Sequence, residues 1–103
     1  MSGIEAKLES RCREYVKKKM PPDWILLKWR SPGFNGVSDR LLLAEGCIVP
    51  IEFKAPGKSL SKLQEQFSQR LSRLKLKHHT CDNFEKFVEI CEAVKERVRN
   101  ADR

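Results

Sequence analysis

The stretch "PIEFKAPGK", residues 50–58, alternates apolar and charged side chains ahead of a Pro-Gly turn. Ile51 and Phe53 alternate with Glu52 and Lys54, which is the period of two expected of a half-buried β-strand. Glu52 and Lys54 therefore share one face of the predicted strand. Taken alone, such a Glu/Lys pair is an ordinary solvent-facing pair of little energetic value. A functional interpretation needs support from other parts of the chain.

Length and composition predict one soluble domain. The chain has 103 residues, of which 40% are hydrophobic, enough for a single core. No run approaches the roughly 18 apolar residues of a membrane span, and residues 1–10, "MSGIEAKLES", do not resemble a signal peptide. We expect one domain over residues 1–103, in the cytoplasm and without membrane contact.

The four cysteines are predicted to be buried thiols in a reducing compartment, because they stand in apolar surroundings and no C-x-x-C motif occurs. One grouping has the residue types of a zinc site, but its spacing matches no common zinc motif. Its members are His78, His79, Cys81 and Cys91.

Positive charge is concentrated in one segment. The formal net charge of the chain is +7, and residues 54–77 alone carry +6, with Glu65 as their one acid. The seven bases of this segment are Lys54, Lys58, Lys62, Arg70, Arg73, Lys75 and Lys77. A basic stripe confined to one segment is typical of proteins that bind a phosphate backbone. A solvated surface that serves solubility alone is the alternative.

Hydrophobic periodicity predicts an α/β domain. An apolar stripe at helical spacing indicates a first helix up to about Lys19, with a capping box formed by Ser2 and Glu5. Three strands in a meander follow, then a second helix with an apolar stripe facing the core, a short fourth strand and a C-terminal helix. The corresponding residues are 24–29, 39–46, 47–54, 60–74, 76–82 and 84–98.

A second carboxylate stands thirteen positions before Glu52. Asp39 directly follows the Gly-rich loop "SPGFNGVS", residues 31–38, at the head of the preceding strand. If the two strands are antiparallel neighbours, Asp39 and Glu52 converge at one end of the sheet. Two carboxylates beside a lysine form a hard-oxygen site for a divalent cation. Lys54 would orient a water or offset charge on a scissile phosphate.

These residues resemble the VRR-NUC nucleases, a branch of the PD-(D/E)XK superfamily found in phages and as the C-terminal domain of a Fanconi-associated nuclease. The resemblance is carried by "SPG", by "GV" ahead of "SD", by "KAPG" and by Gln64 ten residues after Lys54. It extends from the first helix to about Cys81 and is strongest over residues 31–64. It implies a single restriction-endonuclease-like domain with the element order given above, its three strands forming an antiparallel meander.

The resemblance also implies a catalytic site. It makes Asp39 and Glu52 ligands of Mg²⁺ or Mn²⁺, together with the main-chain carbonyl of Phe53. Lys54 becomes the catalytic lysine, and Gln64 is expected in the following helix near the active site. A capping box with Ser61 explains Gln64 equally well.

Such sites are completed by a glutamate from the first helix, and two candidates lie one turn apart on the same face. Glu9 is favoured, because Glu5 has a capping role that explains it without catalysis. Departures from the family pattern are Ser38 before the aspartate, where proline is usual, and Lys75 before the last strand, where glycine is frequent.

The substrate implied by the resemblance is branched DNA such as a four-way (Holliday) junction, cut without sequence preference inside a bacterial or phage-infected cell. Two symmetric nicks require two sites, so a homodimer is expected. The expected DNA contacts are Lys58, Lys62, Arg70, Arg73, Lys75 and Lys77. Two other classes remain open: a non-catalytic nucleic-acid-binding module in which Asp39, Glu52 and Lys54 form a structural ion network, and a small regulator that binds acidic protein surfaces.

Overall fold

A computed structural model describes residues 3–101. The elements are α1 (Gly3–Lys19), β1 (Ile25–Lys28), β2 (Arg40–Ala44), β3 (Cys47–Phe53), α2 (Lys62–Arg73), β4 (His79–Cys81) and α3 (Phe84–Ala101). This order confirms the predicted sequence of elements, including the short fourth strand. Ser2, the first member of the predicted capping box, lies outside the described residues.

The four strands form one sheet in the order β1-β2-β3-β4. The first three are antiparallel, as the meander requires, whereas β4 runs parallel to β3. A two-residue turn joins β2 to β3, and Gly46 within it has a φ of 63°. This left-handed conformation suits a tight hairpin and favours glycine. The turn fixes the register of β2 against β3.

The hydrophobic core lies between one face of the sheet and the helices α1 and α3. Its members include Cys12, Val16, Leu42, Val49, Ile51, Phe53, Cys81, Phe87 and Cys91. All four cysteines are buried and unpaired, as the sequence predicts. No helix within residues 3–101 combines the length and apolar character needed to cross a membrane.

Helix α2 does not pack as the sequence predicts. Of its apolar stripe only Leu71 is buried, whereas Leu63 and Leu74 are exposed over half of their surface or more. The reason is the position of the helix, which lies on the sheet face opposite to α1 and α3. The rest of the chain therefore covers only one side of α2. Phe67 there packs edge-on against Trp29, with ring centroids 5.5 Å apart.

The end of α2 places a lysine in a conformation that favours glycine. The N–H of Leu76 donates to the carbonyl of Leu71 at 2.8 Å, and the N–H of Lys75 donates to the carbonyl of Ser72 at 2.9 Å. This is a Schellman ending, in which the residue after the cap adopts a left-handed conformation. Lys75 accordingly has a φ of 60°. The chain thus keeps a basic side chain at a strained position.

Candidate metal centre

The β2–β3 register brings Asp39 and Glu52 together. Arg40 pairs with Ile51, so one step further along the ladder Asp39 lies opposite Glu52. A side-chain oxygen of Asp39, Oδ2, accepts a hydrogen bond from the N–H of Phe53 at 3.0 Å. The structure therefore holds the Asp39 carboxylate at the end of β3, beside Glu52.

Glu52 is a buried carboxylate with incomplete hydrogen bonding. Only 2% of the residue is exposed. Its Oε2 accepts a hydrogen bond from Nε2 of Gln64 at 3.0 Å and lies 3.9 Å from Nζ of Lys54. Its Oε1 is buried and has no hydrogen-bond partner among the described residues. When Glu52 is protonated, a hydrogen bond to the Asp39 side chain pairs this carboxyl group. When Glu52 is ionised, a bound cation would satisfy the free oxygen.

The electrostatics of the pair also favour a cation. Burial, followed by the adjacent Asp39, raises the pKa of Glu52 to about 8, and the Lys54 ammonium opposes this shift. Two carboxylates held side by side cannot both ionise easily. Glu52 therefore carries a proton near neutral pH in the metal-free chain. A divalent cation would stabilise the ionised form and release that proton.

The donor set fits Mg²⁺ or Mn²⁺, since both prefer oxygen ligands and Mg²⁺ retains several waters. No group of three or more His, Cys, Asp or Glu side chains within residues 3–101 is arranged to hold a metal ion. The zinc-type grouping around His78 is therefore not formed. Asp39 and Glu52 would supply two ligands, which leaves room for waters and a phosphate oxygen.

The two glutamates of α1 have different partners. Glu9 is buried and forms an ion pair with Arg40, the residue after Asp39. Oε1 of Glu5 accepts a hydrogen bond from the N–H of Ala55 at 3.0 Å, directly after Lys54. The structure thus gives Glu9 a structural role that the sequence did not indicate. Whether either glutamate serves the site stays a prediction.

A solved structure described as "VRR_NUC domain" matches this arrangement of elements. The two superpose with a TM-score of 0.76 over 88% of this chain and 97% of the other, at 17% sequence identity. The chain has the fold of a VRR_NUC domain. No protein-family model matches the sequence, and no curated protein does so either. The similarity confirms the predicted fold class.

Gln64 of this VRR_NUC fold forms the capping box and also contacts Glu52. Its N–H donates to Oγ of Ser61 at 3.2 Å, and its own Oε1 accepts from the N–H of Ser61 at 2.9 Å, which completes the capping box. Its Nε2 meanwhile donates to Glu52. The cap of α2 therefore orients the amide that holds Glu52 in place.

A contact that sequence reasoning missed lies beside Asp39. Nε2 of His78 lies 2.7 Å from Oγ of Ser38, a buried residue. Burial lowers the pKa of His78, so the ring is neutral near pH 7. The two residues are forty positions apart, and no local pattern in the sequence links them. His78 thus contacts the side chain of the residue just before Asp39.

The basic residues expected to bind DNA are all exposed on the surface of α2 and the segments beside it. They are Lys58, Lys62, Arg70, Arg73, Lys75 and Lys77. Lys58 and Lys62 lie on either side of the Ser61 cap, and Lys75 and Lys77 follow the end of the helix. Because Gln64 of the same helix contacts Glu52, the basic surface adjoins the candidate metal centre.

Proposed function

We propose that this chain is a divalent-metal-dependent endodeoxyribonuclease that cuts branched DNA, such as four-way junctions, without reading base sequence. One observation carries the proposal: the buried Glu52 carboxylate, with its unpaired Oε1, lies beside Asp39 and Lys54 on a nuclease-type fold. In a structural ion network each carboxylate would be expected to have a cationic partner, whereas within residues 3–101 the two carboxylates have one ion pair, between Glu52 and Lys54. This excess of negative charge favours a catalytic site over a non-catalytic module.

Each residue of the candidate site would have a separate chemical role. A bound Mg²⁺ or Mn²⁺ would activate a water and stabilise charge on the scissile phosphate. Asp39, Glu52 and the main-chain carbonyl of Phe53 would hold it, and Gln64 fixes the orientation of Glu52 through its hydrogen bond. The Lys54 ammonium, 3.9 Å from Glu52, would offset the negative charge that grows on the phosphate.

DNA would be held by its backbone. Exposed lysines and arginines contact phosphates, which position a protein on DNA but carry no base information. The N-terminus of α2, close in sequence to Lys58 and Lys62, adds a favourable helix dipole. This arrangement supports binding that is independent of sequence and sensitive to salt.

Asp39→Asn tests the function directly. We expect cleavage of a four-way junction in Mg²⁺ to fall by at least about 10³-fold, because the variant removes one of two charged metal ligands. Junction affinity, measured by fluorescence anisotropy in EDTA, should stay within about twofold of the wild type, since phosphate contacts come from the basic surface. Full cleavage by the variant would disprove the assignment.

Asp23→Asn is the matched control. Asp23 is an exposed residue of the α1–β1 connection, so this change should affect neither cleavage nor binding. Calorimetric titration of the wild type with Mn²⁺ adds a readout that does not depend on catalysis. Heat of Mn²⁺ binding that is retained in Asp39→Asn would contradict the metal centre.

A homodimer would supply the second site that a symmetric junction requires. The sheet face that α2 covers in part offers a surface for it, because apolar side chains of three strands remain accessible there. Ile25 and Leu27 are exposed, Ile48 is 64% exposed, and Leu43 lies between Ile25 and Ile48 in the register. Ile48 and Glu52 alternate onto the same face of β3, so a second copy here would lie beside the site.

Ile48→Glu tests this surface. We expect sedimentation velocity to show a dimer for the wild type and a monomer for the variant, since two-fold symmetry places two introduced charges in one apolar contact. The variant should then nick junctions once without resolving them. Ile4→Glu, at an exposed position of α1, should leave the dimer intact. A wild type that is monomeric at tens of micromolar would contradict the proposal.

A further inference from the structure

An aromatic side chain stands exposed at the loop between β1 and β2. Phe34 is 41% exposed. Its ring packs edge-on against Phe67 of α2, with centroids 5.7 Å apart, and Phe67 in turn contacts Trp29. One side of the Phe34 ring is therefore supported by protein, while much of the remaining ring surface is open to solvent.

The loop that carries Phe34 is fixed against α2. Gly36 has a φ of 89°, and a Cβ added there would lie 2.6 Å from the backbone oxygen of Leu63. The backbone of the loop thus packs directly on that of the helix, at a position that only glycine permits. The N–H of Phe34 also donates to the carbonyl of Ser31 at 3.1 Å. The exposed ring is therefore held in place by its backbone.

The recess beside the ring has polar and cationic walls. The Arg70 guanidinium lies 5.8 Å from the centroid of the Phe34 ring. The other polar residues that line the recess are Asn35, Gln66, Gln69 and Arg73, and its remaining lining is Gly33, Leu63 and Phe67. A ring for stacking, amides for hydrogen bonds and guanidinium groups for a phosphate together match one kind of ligand, a nucleotide whose base is not stacked in a duplex.

The recess follows the candidate site along α2. Gln64 contacts Glu52, and Arg70 lies six residues further along the helix. At 1.5 Å per residue this is about 9 Å, or nearly three nucleotide steps at about 3.4 Å each. A strand cut beside Glu52 would thus reach the recess within a few nucleotides.

We propose that the recess lined by Phe34, Arg70 and Arg73 binds an unpaired nucleobase of the strand that crosses the candidate site. Phe34 stacks on the base, and Arg70 and Arg73 contact the adjoining phosphates. This proposal rests on the proposed function for one point, namely that the bound strand crosses the candidate site. Stacking requires an open base face, which paired DNA covers and a branch point or gap exposes. The recess therefore selects DNA with unpaired bases near the cut.

Equilibrium binding in EDTA tests the proposal without catalysis. The probes are a branched DNA with a three-nucleotide thymidine gap at the branch, the same DNA with abasic sugars in the gap, and a fully paired duplex. For the thymidine gap we expect Phe34→Ala to weaken binding by about 5- to 150-fold, the range typical of one lost base–aromatic stack. For the abasic gap and the duplex, its affinity should match that of the wild type.

Phe34→Trp keeps a stacking surface and should bind the thymidine gap within about twofold of the wild type. Leu74→Ala is the matched control, because Leu74 is an exposed apolar residue of the same helix region that does not line the recess. This variant should bind all three probes normally. If Phe34→Ala does not fold by circular dichroism, Phe34→Leu, which preserves packing on Phe67, takes its place.

Two outcomes overturn the proposal. One is equal weakening on thymidine and abasic gaps, which would assign Phe34 to packing or to a protein partner. The other is no weakening on any probe. A base-dependent loss in a chain that does not cut DNA would uphold the stacking site and overturn the nuclease assignment. Normal cleavage together with unchanged binding by Phe34→Ala would uphold the nuclease assignment and overturn the stacking site.

Discussion

Glu52→Gln is expected to abolish DNA cleavage and, at the same time, to stabilise the metal-free chain at pH 8. Loss of cleavage follows from the loss of a charged metal ligand. The gain in stability follows from burial and from the neighbouring Asp39, which raise the pKa of Glu52 from 4.5 to about 8. Glutamine keeps an oxygen for the Gln64 amide but has no proton to lose.

The pH dependence has a definite sign. Below about pH 4.5 Glu52 is protonated in both the folded and the unfolded chain, so its ionisation does not oppose folding. Between 4.5 and about 8 the unfolded chain loses the proton and the folded chain retains it. Stability of the wild type therefore falls across this window. At about 1.4 kcal/mol for each pKa unit, the loss reaches roughly 3–5 kcal/mol.

Urea unfolding at pH 4, 6 and 8 in EDTA measures the effect. The difference in free energy of unfolding between Glu52→Gln and the wild type should be small at pH 4 and largest at pH 8. Addition of Mg²⁺ should stabilise the wild type alone. Glu65→Gln, at an exposed position of α2, should show no such pH dependence. A difference that is the same at all three pH values would contradict the raised pKa.

The elements of this fold follow from local patterns, and the meander follows from its turns. The period of two in β3 and the turn at Gly46 were enough to predict that Asp39 and Glu52 would converge, because a hairpin turn fixes strand register. The exposure of Leu63 and Leu74 could not be predicted in this way. An apolar stripe shows which side of a helix prefers burial, but not whether other parts of the chain cover it.

The same limit applies to the helix-one glutamates. Glu5 and Glu9 lie one turn apart on one face, so helical periodicity cannot separate them. What separates them is Arg40, which is 31 residues from Glu9 and whose side chain lies on the face of β2 opposite to that of Asp39. Alternation along a strand indicates this side-chain direction, but an arginine that faces the core is rarely expected without a known partner.

Arg40→Met is expected to destabilise the chain by about 3–5 kcal/mol, because it leaves the Glu9 carboxylate buried without its partner. Arg40 and Glu9 are 8% and 9% exposed, so water cannot replace the lost contact. Glu9→Gln should cost a similar amount, since Arg40 then lacks an anion and its Nε is already without a hydrogen-bond partner among residues 3–101. Thermal and urea unfolding measure both changes.

The double variant Glu9→Leu/Arg40→Met decides what Glu9 does. Replacing both members of a buried ion pair with apolar residues of similar size is often neutral for stability, so we expect unfolding close to that of the wild type. If Glu9 only neutralises Arg40, the double variant cuts DNA normally, and Glu5→Gln lowers cleavage with little change in melting temperature. If Glu9 serves the metal centre, the double variant is stable but does not cleave. A double variant whose instability equals the sum of those of Glu9→Leu and Arg40→Met would show that the pair is not energetically coupled, because a coupled pair loses less together than the sum of its single changes.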